Sequence, residues 1–116
     1  MVKTGSQVRV TYPTLSREQV LERLRQAYSR LKTKLPVSKV ILYGSYATGR
    51  YTAGSDIDLL VVYEGEHRED AYKLVLSEIA LPRLEPKVYT QQEFNILISR
   101  SRKLAAALNK EGIEIP

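Results

Sequence analysis

Two aspartates, Asp56 and Asp58, stand one residue apart at the start of a strongly apolar run, IDLLVVY. In a β-strand, residues i and i+2 point to the same side, so both carboxylates face one place while Ile57 faces the other. Two negative charges so close together repel unless a cation lies between them. Carboxylate oxygens favour Mg²⁺ or Mn²⁺ over zinc. The pair therefore indicates a divalent metal site, although a solvated GSD turn explains most isolated Asp-x-Asp pairs.

A Gly-Ser step, Gly44-Ser45, follows the β-branched run SKVILY and precedes a stretch of small, flexible residues. Glycine at the end of a strand permits a positive φ and lets a ligand approach the main chain. Exposed N–H groups at such a turn, together with the start of a short helix at Ser45, form an anion site that suits phosphate. Taken alone, the step is far more typical of an ordinary turn between a strand and a helix.

The helices and strands that must position these residues are predicted from the spacing of apolar residues, from helix caps and from proline. A capping box at Ser16 and Gln19 begins a helix that Pro36 stops. Strands are predicted at 38–44, 57–63 and 84–90, and the second is apolar at nearly every position, as a central strand would be. Further helices are predicted at 68–80 and 91–109, the latter starting at a Thr90–Glu93 capping box and broken near 99–103. Short strands are expected at 113–116 and, as an edge strand or loose arm, at 8–12.

The predicted core is the apolar face of each helix. In the first helix it comprises Val20, Leu24, Ala27, Leu31 and Leu35; in the second, Ala71, Tyr72, Val75, Leu76 and Ile79; in the last, Phe94, Leu97, Ile98, Ala105 and Leu108. Helices alternating with strands predict an α/β (α+β) fold with a small sheet.

The composition bounds the kind of protein without identifying it. A chain of 116 residues that is 43% hydrophobic is expected to fold as one domain. It has no cysteine, so thiol chemistry and disulfides are excluded, and neither a leader nor a membrane span is apparent, which predicts a cytoplasmic protein. The net charge of +5 favours polyanionic partners such as nucleotides, nucleic acid or an acidic protein surface.

The two motifs gain specificity from their spacing: Gly44-Ser45, ten residues, then Asp56-x-Asp58, with a strand before the first and through the second. This pattern resembles the signature of the DNA polymerase β-like nucleotidyltransferase superfamily. It is closest to its small stand-alone branch, the minimal nucleotidyltransferase (MNT) domains, which are often paired with HEPN proteins. The resemblance implies the nucleotidyltransferase fold, with a small mixed β-sheet packed with helices, over residues 14–116. Residues 1–13 are left as an N-terminal arm or edge strand.

The resemblance also implies a site. Gly44 and Ser45 would hold the triphosphate of ATP, and Asp56 and Asp58 would be the first two ligands of two Mg²⁺ ions, with Mn²⁺ as an alternative. The third ligand belongs on the next strand, where LEPKVYTQQEF matches the family pattern and places Glu85 in that role. The remaining predicted nucleotide-binding residues are Arg50 and Ser55, in the loop between the motifs.

The third ligand departs from the family pattern, which usually has aspartate followed by β-branched residues. Here Glu85 is followed by Pro86 and Lys87. Proline removes a ladder donor and belongs on an edge strand or at a bulge. By alternation Lys87 points to the same side as Glu85, where its charge competes with a metal ion.

The implied activity is transfer of a nucleoside monophosphate, AMP from ATP, to an acceptor hydroxyl. Size leaves no room for an acceptor-binding domain, so the acceptor is expected on another protein, by resemblance a tyrosine of a HEPN-type toxin that this chain counteracts as antitoxin. The alternative is a weak or inactive module that neutralises its partner by binding. A homo-oligomer stays open, and direct nucleic-acid binding, which rests on charge alone, is not expected.

Overall fold

The computed structural model describes residues 14–116, which form five helices and four strands. In chain order they are α1 (Arg17–Leu31), β1 (Val37–Tyr43), α2 (Ser45–Thr48), β2 (Ile57–Tyr63), α3 (Ala71–Glu78), β3 (Leu84–Thr90), α4 (Gln91–Arg100), α5 (Arg102–Glu111) and β4 (Ile113–Glu114). The predicted order of elements is confirmed over these residues. The strand or arm predicted at 8–12 lies outside them.

The four strands form one mixed sheet in the order β3-β2-β1-β4. Strand β2 is antiparallel to β1 and parallel to β3, and β4 is antiparallel to β1. Six of the seven residues of β2 are buried, as its unbroken apolar sequence predicts for a central strand. The predicted α/β class with a small mixed sheet is confirmed.

The two faces of β2 pack against different helices. Ile57, Leu59, Val61 and Tyr63 join the larger core, to which α1 and α3 contribute. Leu60 and Val62 face the other way and pack with Phe94 of α4 and Leu108 of α5. Alternation places Asp58 on this second face, at the start of the strand, where it is only half-buried. The Asp58 carboxylate therefore lies at one end of this face, and α4 and α5 cover the rest of it.

Helix α1 begins at the predicted capping box, in which the Ser16 hydroxyl accepts from the Gln19 N–H. It ends at Leu31, a turn earlier than predicted. Tight turns follow, in which the N–H groups of Lys34 and Leu35 both donate to Leu31 O at 2.9 Å. The residue before a proline avoids the helical region, which favours an early end here. All five predicted core residues of this segment are nevertheless buried, Leu35 included.

Helix α3 is shorter than predicted, and its apolar stripe is narrower. Tyr72 and Leu76 were expected in the core but are 51% and 41% exposed. The buried row is Ala71, Val75 and Ile79, at intervals of four residues, the last just beyond the helix. A helix this short, packed along one row, leaves the adjacent row of apolar side chains in solvent.

The C-terminal helical segment is broken where the sequence predicts. Ser101 ends α4 and begins α5, and its hydroxyl accepts from the Leu104 N–H at 3.2 Å. Of the predicted core residues, Phe94 and Leu108 are buried and Leu97, Ile98 and Ala105 half-buried. The predicted terminal strand is confirmed as β4, and the Ile115 N–H donates to Val40 O.

Within the part of the chain described, none of the helices has the length and apolarity needed to span a membrane.

Candidate functional site

The turn after β1 brings the two sequence motifs into contact. Tyr43, the last residue of β1, pairs with Asp58 of β2, so Gly44 lies beside the second aspartate. Gly44 has φ 74° and ψ −153°, a backbone region open essentially to glycine alone. A Cβ atom at this position would overlap with Asp58 Oδ2. The predicted phosphate-binding glycine therefore has a second reason to be glycine: the Asp58 carboxylate packs against its backbone.

Helix α2 starts directly at this turn. Gly44 O accepts from the N–H groups of Ala47 and Thr48, both at 3.1 Å, which closes the single helical turn. The first N–H groups of any helix, here those of Ser45 and Tyr46, have no acceptor within the helix. They lie next to Gly44 and so beside Asp58. Backbone donors and a carboxylate are thus juxtaposed, as a site for a metal-bound phosphate chain requires.

Contacts with the start of α1 hold α2 and the loop after it, as far as Tyr51, in place. The rings of Tyr46 and Tyr51 stack at 4.2 Å, inclined by 5°. The Tyr46 hydroxyl donates to Leu15 O at 3.1 Å, and the Arg17 N–H donates to the Tyr51 hydroxyl at 3.1 Å. Arg17 Nη1 also donates to Ala47 O at 3.0 Å. The Tyr51 side chain is thus packed within the protein, between Tyr46 and the start of α1.

Sequence reasoning missed these anchors. Tyr46, Tyr51 and Arg17 show no periodicity and match no motif, so no local signal links them. Arg17 matters because its guanidinium donates a hydrogen bond to the Ala47 carbonyl of the very short helix α2. Few backbone hydrogen bonds hold that single turn. We therefore regard Arg17 as a residue that positions the loop predicted to bind phosphate.

The Asp58 carboxyl is in an unusual electrostatic environment. Burial raises its pKa above the ordinary value, the negative charge of Asp56 raises it further, Lys87 opposes the rise, and Glu85 adds to it. Tyr43, half-buried on the same face, has its pKa raised to about 12 by burial and by Asp58 and Tyr89. The tyrosine therefore stays protonated at neutral pH, while a bound cation would favour the charged form of Asp58.

Strand β3 places Glu85 directly opposite Asp58 in the parallel register. The Ile57 N–H donates to Arg83 O at 2.8 Å. In a parallel ladder this bond directs the backbone of Glu85 and Lys87 towards β2, and the nitrogen of Pro86 away from it. The prediction that Pro86 belongs on an edge strand is confirmed, and the proline removes no ladder bond. Because Pro86 has no N–H to donate, it also disfavours the pairing of a further strand with β3.

The three predicted metal ligands are neighbours, but their carboxylates do not converge. Nowhere in residues 14–116 are three acidic or histidine side chains arranged round a point that could hold a metal ion. Asp56 is turned towards Arg83, with 3.4 Å between its Oδ1 and Arg83 Nη2. Exposed Asp56 and Glu85 side chains are free to rotate towards half-buried Asp58.

The donor set nevertheless fits a hard divalent cation. It consists of carboxylate oxygens only, which suits Mg²⁺ or Mn²⁺. A guanidinium already occupies the place of a cation at Asp56, and an ammonium group acts on Asp58 from Lys87. These positive groups lie where the negative charges of Asp56 and Asp58 have to be neutralised.

The two remaining predicted nucleotide-binding residues lie at the rim. Arg50 is exposed, and its N–H donates to Ser45 O at 2.9 Å. The Ser55 hydroxyl accepts from the Thr52 N–H at 2.8 Å, which closes a turn. Ser55 also lines a cavity of about 340 Å³, together with Thr14, Leu15, Tyr46, Ala53, Ile57, Pro82 and Arg83. A role for Arg50 or Ser55 in nucleotide binding stays a prediction.

Replacing Arg17 with alanine should loosen the loop without touching the ligand. We expect ATP to bind roughly three- to ten-fold more weakly, because a charge-assisted hydrogen bond to Ala47 O is lost. Calorimetric titration measures the effect. The matched control is Arg23→Ala, an exposed arginine on the same helix. Equal ATP affinity in the two variants would contradict the positioning role.

Comparisons with known proteins agree with this architecture. Residues 21–109 match the family model described as "Nucleotidyltransferase domain". Over 41 residues the chain is 46% identical to the "Putative protein adenylyltransferase" of Methanocaldococcus jannaschii. That match covers 34% of this chain and 41% of the relative, so it spans well under half of either protein.

Two solved structures share the fold. A nucleotidyltransferase from Sulfolobus solfataricus, named as putative, superposes with a TM-score of 0.57 at 21% identity, over 84% of this chain and 80% of the other. A chain from the complex of tri-AMPylated Shewanella oneidensis HEPN toxin with MNT antitoxin superposes with a TM-score of 0.52 at 14% identity, over 86% and 71%. The resemblance inferred from the Gly-Ser and Asp-x-Asp motifs is confirmed: the chain belongs to the nucleotidyltransferase domain family.

Proposed function

We propose that this nucleotidyltransferase moves AMP from ATP to a hydroxyl group of another protein. The observation that carries the proposal is the contact between Gly44 and Asp58, with Glu85 in register on the next strand. It unites backbone donors for a phosphate chain with carboxylates for metal ions at one end of the sheet.

Each residue has a role in that reaction. The N–H groups at the start of α2 bind the triphosphate, and Asp56, Asp58 and Glu85 hold Mg²⁺. Bound Mg²⁺ supplies neutralisation of the phosphate charge and a lower pKa for the attacking hydroxyl. The hydroxyl oxygen forms a bond to the α-phosphorus as the bond to the bridging oxygen breaks, and pyrophosphate leaves with the electron pair. Asp58 or Glu85 accepts the hydroxyl proton. No protein nucleophile takes part, consistent with a chain that has no cysteine.

The acceptor that we propose is a tyrosine of a HEPN-type toxin, for which this chain is the antitoxin. Support comes from the fold shared with the MNT–HEPN complex, whose toxin is described as tri-AMPylated, and from the partial match to a protein named as an adenylyltransferase. The open site also supports it, since Asp56 and Glu85 are exposed at one end of the sheet, where a second protein can reach them.

A second candidate is a silent module that neutralises its partner by covering it. Carboxylates that do not converge, and a third ligand followed by proline, favour this function. Neutralisation of a toxic partner tests it. If the double variant Asp56→Asn, Asp58→Asn protects cells as fully as the wild type does, binding suffices; if protection is lost while the complex still forms, the transfer chemistry is required.

Calorimetric titration of ATP, with Mg²⁺ and with EDTA, tests the proposed site. We expect binding by the wild type with Mg²⁺ only, and binding at least about ten-fold weaker in Glu85→Gln, because the amide replaces a charged metal ligand. The matched control is Glu114→Gln, an exposed glutamate on the edge strand at the other side of the sheet. Wild-type affinity in Glu85→Gln would exclude Glu85 as a ligand.

A further inference from the structure

Arg83 has an unusual backbone conformation. It is the one non-glycine residue with a positive φ, 58°, in the range 14–116, and it immediately precedes β3. Its carbonyl accepts from the Ile57 N–H, which ties it to the start of the strand that follows Asp56. Left-handed geometry costs free energy for a residue with a side chain, and glycine or asparagine would adopt it more easily. Strain of this kind is concentrated at functional sites.

The side-chain contact of Arg83 does not stabilise the fold enough to explain why this backbone strain is present. Its Nη2 lies 3.4 Å from Asp56 Oδ1, and the two side chains are 54% and 50% exposed. An ion pair so open to solvent adds little to the stability of the fold. The contact matters for a different reason, because Asp56 is one of the three predicted metal ligands and its carboxylate is turned towards Arg83.

We propose that Arg83 is a positioning residue that exchanges partners when the site is loaded. Without metal, its guanidinium neutralises Asp56. When a divalent ion takes the Asp56 carboxylate, the two positive groups repel each other, and Arg83 is released to contact the phosphate chain of the nucleotide. This role rests on the proposed function and adds to it a coupling between metal and nucleotide binding.

The chemistry of arginine suits both states. A guanidinium keeps its charge at any physiological pH, and its planar fork of N–H donors matches carboxylates and phosphates alike. Arg83 is two residues from Glu85, and its exposed side chain can move without disturbing the core. Both cations already act on predicted metal ligands, Arg83 on Asp56 and Lys87 on Asp58, so a metal ion that binds Asp56 competes directly with Arg83.

Two titrations of the full chain test the role. Mn²⁺ alone is titrated first, with the free ion followed by electron paramagnetic resonance, and ATP is then titrated at saturating Mn²⁺. In Arg83→Gly, which relieves the backbone, and in Arg83→Gln we expect Mn²⁺ to bind roughly two- to five-fold more tightly, because its competitor is gone. ATP should bind about ten-fold more weakly in both, with partial recovery in Arg83→Lys.

Controls separate this role from a structural one. Arg25→Gln removes a similarly exposed arginine from a pair with Glu22 and should leave both affinities unchanged. Thermal melting of Arg83→Gly should be at or above the wild-type value, which excludes unfolding as the cause. Unchanged or weaker Mn²⁺ binding in the Arg83 variants, or unchanged ATP binding, overturns the exchange. A wild type that binds neither Mn²⁺ nor ATP contradicts the proposed function itself, and the role of Arg83 with it.

Discussion

Asp58→Asn is expected to abolish Mg²⁺-dependent ATP binding and to lower AMP transfer by at least about a thousand-fold. Asp58 is the central carboxylate of the site, between Gly44 and Glu85, so its loss affects metal and nucleotide together. Calorimetry measures the binding, and transfer of label from the α-phosphate of ATP to a co-purified partner measures the reaction. Label transfer at the wild-type rate would exclude Asp58 from the chemistry.

The same substitution should not destabilise the protein. Burial and neighbouring carboxylates raise the pKa of Asp58, which means that the folded state disfavours its charge. A neutral amide of the same shape removes that unfavourable interaction, so the melting temperature without metal should be unchanged or higher. Asp70→Asn is the control for activity: Asp70 is exposed, pairs with Arg68 outside the site, and should be dispensable for ATP binding. A marked loss of stability in Asp58→Asn would mean that its low activity reports unfolding.

Gly44→Ala is expected to impair both folding and nucleotide binding. The backbone at Gly44 lies in a region that costs other residues about 1–3 kcal/mol, and the added methyl group overlaps with the Asp58 carboxylate. Relief of the overlap must move either the carboxylate or the start of α2, so we expect ATP affinity to fall by at least about ten-fold. Chemical denaturation measures the free energy of unfolding, and calorimetry measures the affinity.

Gly54→Ala provides a matched control in the same loop. A Cβ atom at Gly54 would meet nothing within 4 Å, so the expected change in stability is within about 0.5 kcal/mol. ATP affinity should be unchanged. If Gly44→Ala behaved like Gly54→Ala, the contact between Gly44 and Asp58 would not matter for the site.

Local patterns in the sequence were sufficient for much of the fold. The bounds predicted for β2 and β3 are those observed, because a run of apolar and β-branched residues between turn residues is a local signal. Both capping boxes form, since each depends on two residues one turn apart. The edge position of β3 also follows from the sequence, because Pro86 lacks the N–H that an inner strand would use. Short-range geometry also placed Asp56 and Asp58 at the start of β2.

Only the tertiary structure decided how the site is arranged. The overlap that excludes a side chain at Gly44 depends on the register of β1 against β2, and the pairing of Asp56 with Arg83 depends on how β3 enters the sheet. The anchoring of α2 by Arg17 joins residues 30 positions apart. Exposure of Tyr72, against expectation, depends on which row of α3 meets the sheet. Motifs in the sequence determined the family and the candidate ligands, because they are set by local spacing. The orientation of each ligand is set by packing between distant segments, which no local pattern encodes.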